Sequence, residues 1–363
     1  MEMNEAADLE VNLYFVVLGI LTLLATVLSV ICCRKRKRHR NEPNDIPISV
    51  IVDSDKKQKE QEHLLTEDTD GHIGLRNQGA TCYLNSVLQT LFMTEDFRNA
   101  VERLFKPIDV HIAQLFIDLK SPKGRVATTE RITSELKINV HEQQDAAEYF
   151  QNIMNMVKPE MSKVYQGELE HRTMCKNPGK EHPLVTRHES FYIIPICMET
   201  YDMDSPINMQ SYFDSYFEPI KTCEDDRVKC PTCKELVNTE ITCNIHKLPP
   251  VLVVQLERFQ LDYYNNYKKN TSEVEIQFQL SVKDDSGVQH KYDLYAVVKH
   301  TGSFHSGHYY AVIKSFEDHQ WYVFNDSSVP KITVLKKPFQ CREAFLLLYK
   351  KHSNESGANS QQI

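Results

Sequence analysis

Three separated segments carry residue types able to do nucleophilic chemistry. The first is Asn77–Cys82, a polar, glycine-containing run. After it Leu84, Val87, Leu88, Leu91 and Phe92 recur at helical spacing. A cysteine at a helix N-terminus meets the positive end of the macrodipole, which favours the thiolate, the nucleophilic form. The second is Lys299–Val312, where a stretch containing Gly302, Ser303, Ser306 and Gly307 precedes His308 and an apolar run. Histidine titrates near working pH, so His308 is the candidate base. His300 and His305 stand in the same segment and are read as loop or hydrogen-bonding histidines. The third is Trp321–Asp326, an apolar run ending in Asn325 and Asp326, a polar pair suited to orienting an imidazole. An early cysteine and a late histidine fit one site built between two lobes.

The elements that must hold these residues are legible from periodicity. Phe150, Ile153, Met154 and Val157 repeat the helical spacing after an acidic start. Leu252–Leu256, Tyr292–Lys299, Tyr309–Lys314, Trp321–Phe324 and Phe345–Tyr349 are short, apolar and rich in β-branched or aromatic residues, which predicts strands. Helices first and strands later predict an α+β protein rather than alternating βαβ units.

Four boxes in this order resemble the ubiquitin-specific proteases: the Cys82 segment, Gln143–Phe150, Leu248–Phe259 and the His308 segment. The resemblance covers the whole of 72–351. It implies a papain-like cysteine protease core with thumb, palm and fingers, and hydrolysis of bonds to the C-terminal glycine of ubiquitin. On the same ground Cys82 is the nucleophile and His308 the base. Asn325 matches the third triad position, Asp326 the acid beside it, and Asn77 the side chain that helps hold the oxyanion. Gly302 and Gly307 would leave room for a narrow channel threaded by a tail ending in Gly-Gly. Gln144 and Asp145 match positions that contact that tail, although Asp145 reads equally as a helix-cap acid. Tyr309 would pack over the tail, or else serve as strand core.

The family often holds a structural zinc between two Cys-x-x-Cys pairs. Cys230 and Cys233 make a good second pair, but the first place offers only Cys175, and His182 has the wrong spacing for the pattern. Three ligands make a poor structural site, so no cofactor is expected, and Cys175, Cys230 and Cys233 are weak metal candidates.

Composition bounds the rest. With 41% apolar and 25% charged residues the chain is neither disordered nor fibrous, and a formal charge of −8 argues against nucleic acid as partner. Ten cysteines in 363 residues are too sparse for a disulfide scaffold. Val11–Cys33 contains no charged residue. At about 1.5 Å per residue it spans roughly 34 Å, enough for a hydrocarbon core about 30 Å thick. The six cations of Arg34–Arg40 follow it directly. The expectation is a single-pass membrane protein: a short non-cytosolic N-terminus (1–10), a transmembrane helix (11–33), a basic collar and linker (34–71), a catalytic domain in the cytosol (72–351) and a disordered tail (352–363). Arg34–Arg40 would also suit anionic lipid. The leading reading is a membrane-tethered deubiquitinase acting on ubiquitin and ubiquitinated proteins. The alternatives are a catalytically weak ubiquitin-binding module and a membrane adaptor.

Overall fold

The computed structural model describes residues 71–101, 106–121, 126–198, 208–222, 226–261, 267–304, 306–333 and 338–352. Four helices matter most: α1 (Cys82–Phe92), α2 (Pro107–Lys120), α3 (Ala146–Met156) and α4 (Met209–Tyr216). The strands that follow are β1 (Gly167–Cys175), β2 (His182–Phe191), β3 (Ile194–Cys197), β4 (Ile220–Lys221), β5 (Thr239–Lys247), β6 (Val251–Glu257), β7 (Gln279–Lys283), β8 (Gln289–Gly302), β9 (Gly307–Lys314), β10 (Trp321–Phe324), β11 (Lys331–Ile332) and β12 (Ala344–Lys351). The α+β expectation holds, and the five predicted strands all form.

The eight-stranded main sheet runs β11-β10-β9-β8-β12-β6-β3, with β7 paired to β8 beside that path. Every pairing in it is antiparallel except β6 with β3. Both faces are buried. Val251 and Val253 of β6 point to the apolar cluster that contains α1 and α3, while Leu252, Val254 and Leu256 point to the cluster on the other face. That is why these strands read as continuous apolar runs rather than alternating ones. A second, four-stranded antiparallel sheet has the order β2-β1-β5-β4.

α1 is buried on all sides, an unusual position for a helix containing Asn85, Ser86, Gln89 and Thr90. Each of these bonds locally or across the core. Ser86 Oγ donates to Cys82 O (2.8 Å), Thr90 Oγ1 to Val87 O (2.6 Å) and Gln89 Nε2 to Ile73 O (2.9 Å). α3 begins where Asp145 accepts the Ala147 and Glu148 N–H groups at 2.7 and 3.1 Å, a side-chain cap.

Arg258, fully buried, ties the end of β6 to the start of β12 and the chain around it. Its guanidinium donates to the carbonyls of Ala344 (2.6 Å), Asn270 and Ser272 (3.0 Å each) and Cys341 (3.3 Å). Arg258→Ala removes the donors of four hydrogen bonds, two of them to buried carbonyls, and stability is expected to fall by about 3–5 kcal/mol. Urea midpoints measure this. Arg258→Lys should recover little, because one ammonium cannot reproduce the fork.

The membrane expectation is corrected. Among the described residues no helix is long and apolar enough to cross a membrane. The longest of them, α2, has 14 residues and an amphipathic face turned to the core. At about 1.5 Å per residue it reaches only about 21 Å. Single-pass localisation is therefore withdrawn. The segments on which it was built, 1–10, 11–33 and Arg34–Arg40, lie outside the described residues, as do the rest of the linker to residue 70 and the tail from 353. His352, assigned to that tail, bonds Asp293 Oδ2 through Nδ1 at 2.7 Å.

Candidate active site

Cys82 is presented by a loop that the Asn77 side chain shapes. Asn77 Oδ1 accepts from Gly79 N (3.0 Å), Thr81 N (3.1 Å) and Thr81 Oγ1 (3.3 Å), so one amide organises the turn into α1. Gly79 takes φ +141°, and a Cβ there would stand 2.9 Å from Val140 O, which excludes other residues.

Across from this loop, β8 turns into β9 and delivers His308. Gly302 takes φ +88°, and a Cβ on Gly307 would lie 2.1 Å from His300 Nε2. The two glycines are thus required by the turn itself and by the buried His300 ring beneath it. His308 Nε2 meets Asn325 Oδ1 at 2.6 Å, which leaves Nδ1 for Cys82. Tyr309 N–H points to Cys82 Sγ at 3.5 Å. Cys82 itself is only 2% exposed. The hydrogen bond to Cys82 raises the His308 pKa, burial opposes it, and the Asn325 bond adds to the rise, taking it to about 9. An imidazolium therefore faces the sulfur at neutral pH, with a proton to give to a departing group beside it. The rival His300 is held down to about 4 by burial first and then by Lys269 and His308, so it stays neutral in the core. His305 lies outside the described residues.

The sequence model described as "Ubiquitin carboxyl-terminal hydrolase" matches residues 73–349. This chain belongs to that family. Ubiquitin carboxyl-terminal hydrolase 47 of Xenopus laevis is 26% identical over 352 residues, covering 74% of this chain and 26% of that protein. The human protein of the same name is 26% identical over 353 residues, with 74% of this chain and 26% of that protein covered. Ubiquitin C-terminal hydrolase 13 of Arabidopsis thaliana is 29% identical over 292 residues, 72% of this chain and 25% of that one. The chain spans about a quarter of the length of these curated relatives.

Within this candidate site the Asp326 charge adds to the rise of the His308 pKa, while its carboxylate hydrogen bonds go to other groups. Asp326 adopts φ +49° at a turn closed by Asn325 N to Ser328 O (2.9 Å) and Ser328 N to Asn325 O (3.0 Å). Its Oδ2 accepts Asn77 Nδ2 at 2.9 Å, its Oδ1 accepts Asn85 Nδ2 at 2.8 Å, and its backbone O accepts Leu75 N at 2.7 Å. Asp326 thus fastens the end of β10 to both the Cys82 loop and α1, and its contact with Asn77 uses one of that amide's two protons. Asn85 was missed in the sequence reading, although it lies one helical turn after Cys82.

Gln143 was missed too. Its side chain pairs with both backbone groups of Gly307: Gly307 N–H donates to Gln143 Oε1 at 2.9 Å, and Gln143 Nε2 donates to Gly307 O. The contact joins the start of α3 to the residue before His308, in a box that sequence analysis had already singled out. Gln144, chosen there instead, is half-buried. Asp145 serves as the α3 cap, and burial raises its pKa despite the two N–H donors. Tyr309 is core, with its ring 4.5 Å from His300 and 5.5 Å from Phe345.

Far along the second sheet the objection to His182 disappears. Cys175 ends β1, His182 opens β2, and the two are direct cross-strand partners. The spacing that looked wrong is one hairpin turn. Cys230 and Cys233 come from a turn between Val228–Lys229 and Leu236–Val237. The four ligand atoms lie within 4.8 Å of one another, with Cys175 Sγ to Cys233 Sγ at 3.9 Å and His182 Nε2 to Cys230 Sγ at 3.3 Å. Zn–S bonds of about 2.3 Å in a tetrahedron put sulfurs about 3.8 Å apart, so the set fits zinc. His182 Nδ1 bonds Lys180 O at 2.7 Å, which leaves Nε2 for the metal.

Proposed function

We propose that the chain is a cysteine-type deubiquitinase that hydrolyses bonds to the C-terminal glycine of ubiquitin. The observation that carries this reading is the alignment of Cys82, His308 and Asn325 between α1 and the main sheet. Cys82 Sγ attacks the glycine carbonyl, and the charged His308 gives its proton to the departing amine. A thioester to ubiquitin results. Neutral His308 then takes a proton from water as the resulting hydroxide attacks the thioester; the C–S bond breaks, ubiquitin leaves as its carboxylic acid, and the Cys82 sulfur again faces a charged His308. Asn325 fixes the ring so that Nδ1 faces the sulfur. The remaining Asn77 amide proton is the side-chain donor for the oxyanion, a contribution of about 3–4 kcal/mol in other proteases. In this reading the helices and main sheet are the thumb and palm of a papain-like core, and the four-stranded sheet is the fingers.

Full-length protein mixed with ubiquitin bearing a C-terminal electrophile tests the proposal. A one-to-one adduct mapped to Cys82 is expected. Folded protein that gives no adduct would overturn it and favour a binding module.

Zinc at Cys175, His182, Cys230 and Cys233 would be structural, closing the fingertip and taking no part in catalysis. The expected outcome is one tightly held zinc per chain by elemental analysis, and a lower melting temperature after chelation. A Cys230→Ser variant that holds as many zinc equivalents as the wild type would refute this assignment.

A further inference from the structure

A second group of metal-ligand residues lies on the same four-stranded sheet, and neither catalysis nor the cysteine cluster uses it. Glu168 on β1, His188 on β2 and His246 on β5 place their ligand atoms within 4.8 Å of one another. They come from three adjacent strands, with Glu168 in the middle. The placement has a cause in the register. β1 and β5 pair Glu168 with Lys247 and Leu169 with Ile245, so a β-bulge leaves His246 as the extra residue opposite Glu168. A bulge re-aims a side chain in this way. On the other side His188 pairs with Glu170, one diagonal step from Glu168.

The detailed contacts resemble those of a ligated site. His188 Nδ1 stands 3.2 Å from Glu168 Oε1, and the His188 and His246 rings lie with centroids 4.7 Å apart. Two imidazoles in such contact need a reason, because protonation of both would set like charges together. His246 Nδ1 is held by Asp285 Oδ2 at 2.6 Å. That bond fixes the ring and leaves Nε2 free, the carboxylate–histidine–metal arrangement in which an outer carboxylate orients the ligand. Asp285 is itself placed by its N–H bond to Ile245 O at 3.0 Å, in the turn between β7 and β8.

We infer that Glu168, His188 and His246 form a binding site for a divalent transition cation of the zinc class, with Asp285 orienting His246. Two imidazoles and one carboxylate suit zinc better than calcium or magnesium, which take oxygen ligands. Side-chain exposures of 34%, 41% and 45% for Glu168, His188 and His246 leave room for water at the fourth position. The ion would staple β2, β1 and β5 together and, through Asp285, clamp the β7–β8 turn of the main sheet onto them.

The test is calorimetric titration of metal-stripped, full-length protein with zinc chloride alone. Near-UV circular dichroism reports the fold of each variant. The wild type is expected to take one equivalent of zinc more than the His188→Ala, His246→Ala double variant. Asp285→Asn should keep the wild-type stoichiometry while weakening that extra equivalent about 10- to 100-fold. Equal stoichiometry in the wild type and the double variant, both folded, would overturn the proposal. Unchanged zinc affinity in Asp285→Asn would remove the orienting role assigned to Asp285. Because the ligands differ from Cys175, His182, Cys230 and Cys233, Cys230→Ser should leave the extra equivalent in place, and its loss there would also count against a separate site.

Discussion

Cys82→Ala is expected to abolish turnover of ubiquitin-amide reporters, by about a million-fold when the nucleophile of a protease triad is removed. Ubiquitin binding should survive. The substitution removes one buried sulfur whose partners are His308 and the Tyr309 N–H, and it leaves every hydrogen bond of the Asn77–Thr81 loop in place. Single-turnover kinetics with a fluorogenic ubiquitin amide, beside a binding isotherm, separate the two effects. Residual activity above background would exclude Cys82 as nucleophile. Loss of binding together with activity would point to a folding defect instead.

The second large effect separates His308 from Asn325. His308→Ala removes the group that moves the proton and is expected to cost about a million-fold, whereas Asn325→Ala, which only frees the ring, should cost about ten-thousand-fold or less. The pH profile distinguishes the roles more sharply than the rates do. His308 is raised from the usual histidine value to about 9 by its bonds to Cys82 and then Asn325, against burial. It is therefore charged through neutral pH and loses its proton as pH rises through about 9. The kcat/KM profile should fall on its alkaline side there, because the acid that protonates the departing amine is lost. Removing Asn325 removes one of the raising contacts, so that limb should move to lower pH. An unmoved limb in Asn325→Ala would mean that Asn325 does not act through His308. The same raised value links to stability. The stabilisation from His308 is fully present below its unfolded value near 6.5 and is lost as pH climbs through 9.

The sequence made the candidate catalytic set legible because each member sits at an element boundary with local punctuation. Cys82 starts an apolar period, His308 follows a glycine, and Asn325 ends an aromatic strand. What sequence hid is cross-chain pairing. Asp326 reads as an acid beside a triad, yet its carboxylate is taken by Asn77 and Asn85, 249 and 241 residues away. No local pattern encodes such a partner. Gln143 was passed over for Gln144 because two adjacent glutamines look alike until the backbone decides which one faces Gly307. His182 was set aside by a ligand-spacing rule that has no knowledge of a hairpin. The same limit applied to Gly302 and Gly307, where a Cβ would meet Ser306 O and the His300 ring, neighbours that no local pattern announces.

The place of β12 in the main sheet has a consequence for the order in which the protein is made. This last strand lies between β8 and β6, at the centre rather than the edge, and supplies backbone partners to both. A ribosome must pass Lys351 before the sheet can close around it. Until then β8 and β6 have no common neighbour. Non-local pairing of this kind is slow to form and leaves unpaired strand edges exposed while it waits. Nascent chains that stop short of Ala344 should accordingly carry Cys82, His308 and Asn325 and yet lack the centre of the sheet, so that turnover of ubiquitin-amide reporters is expected only once residues 344–351 have been made.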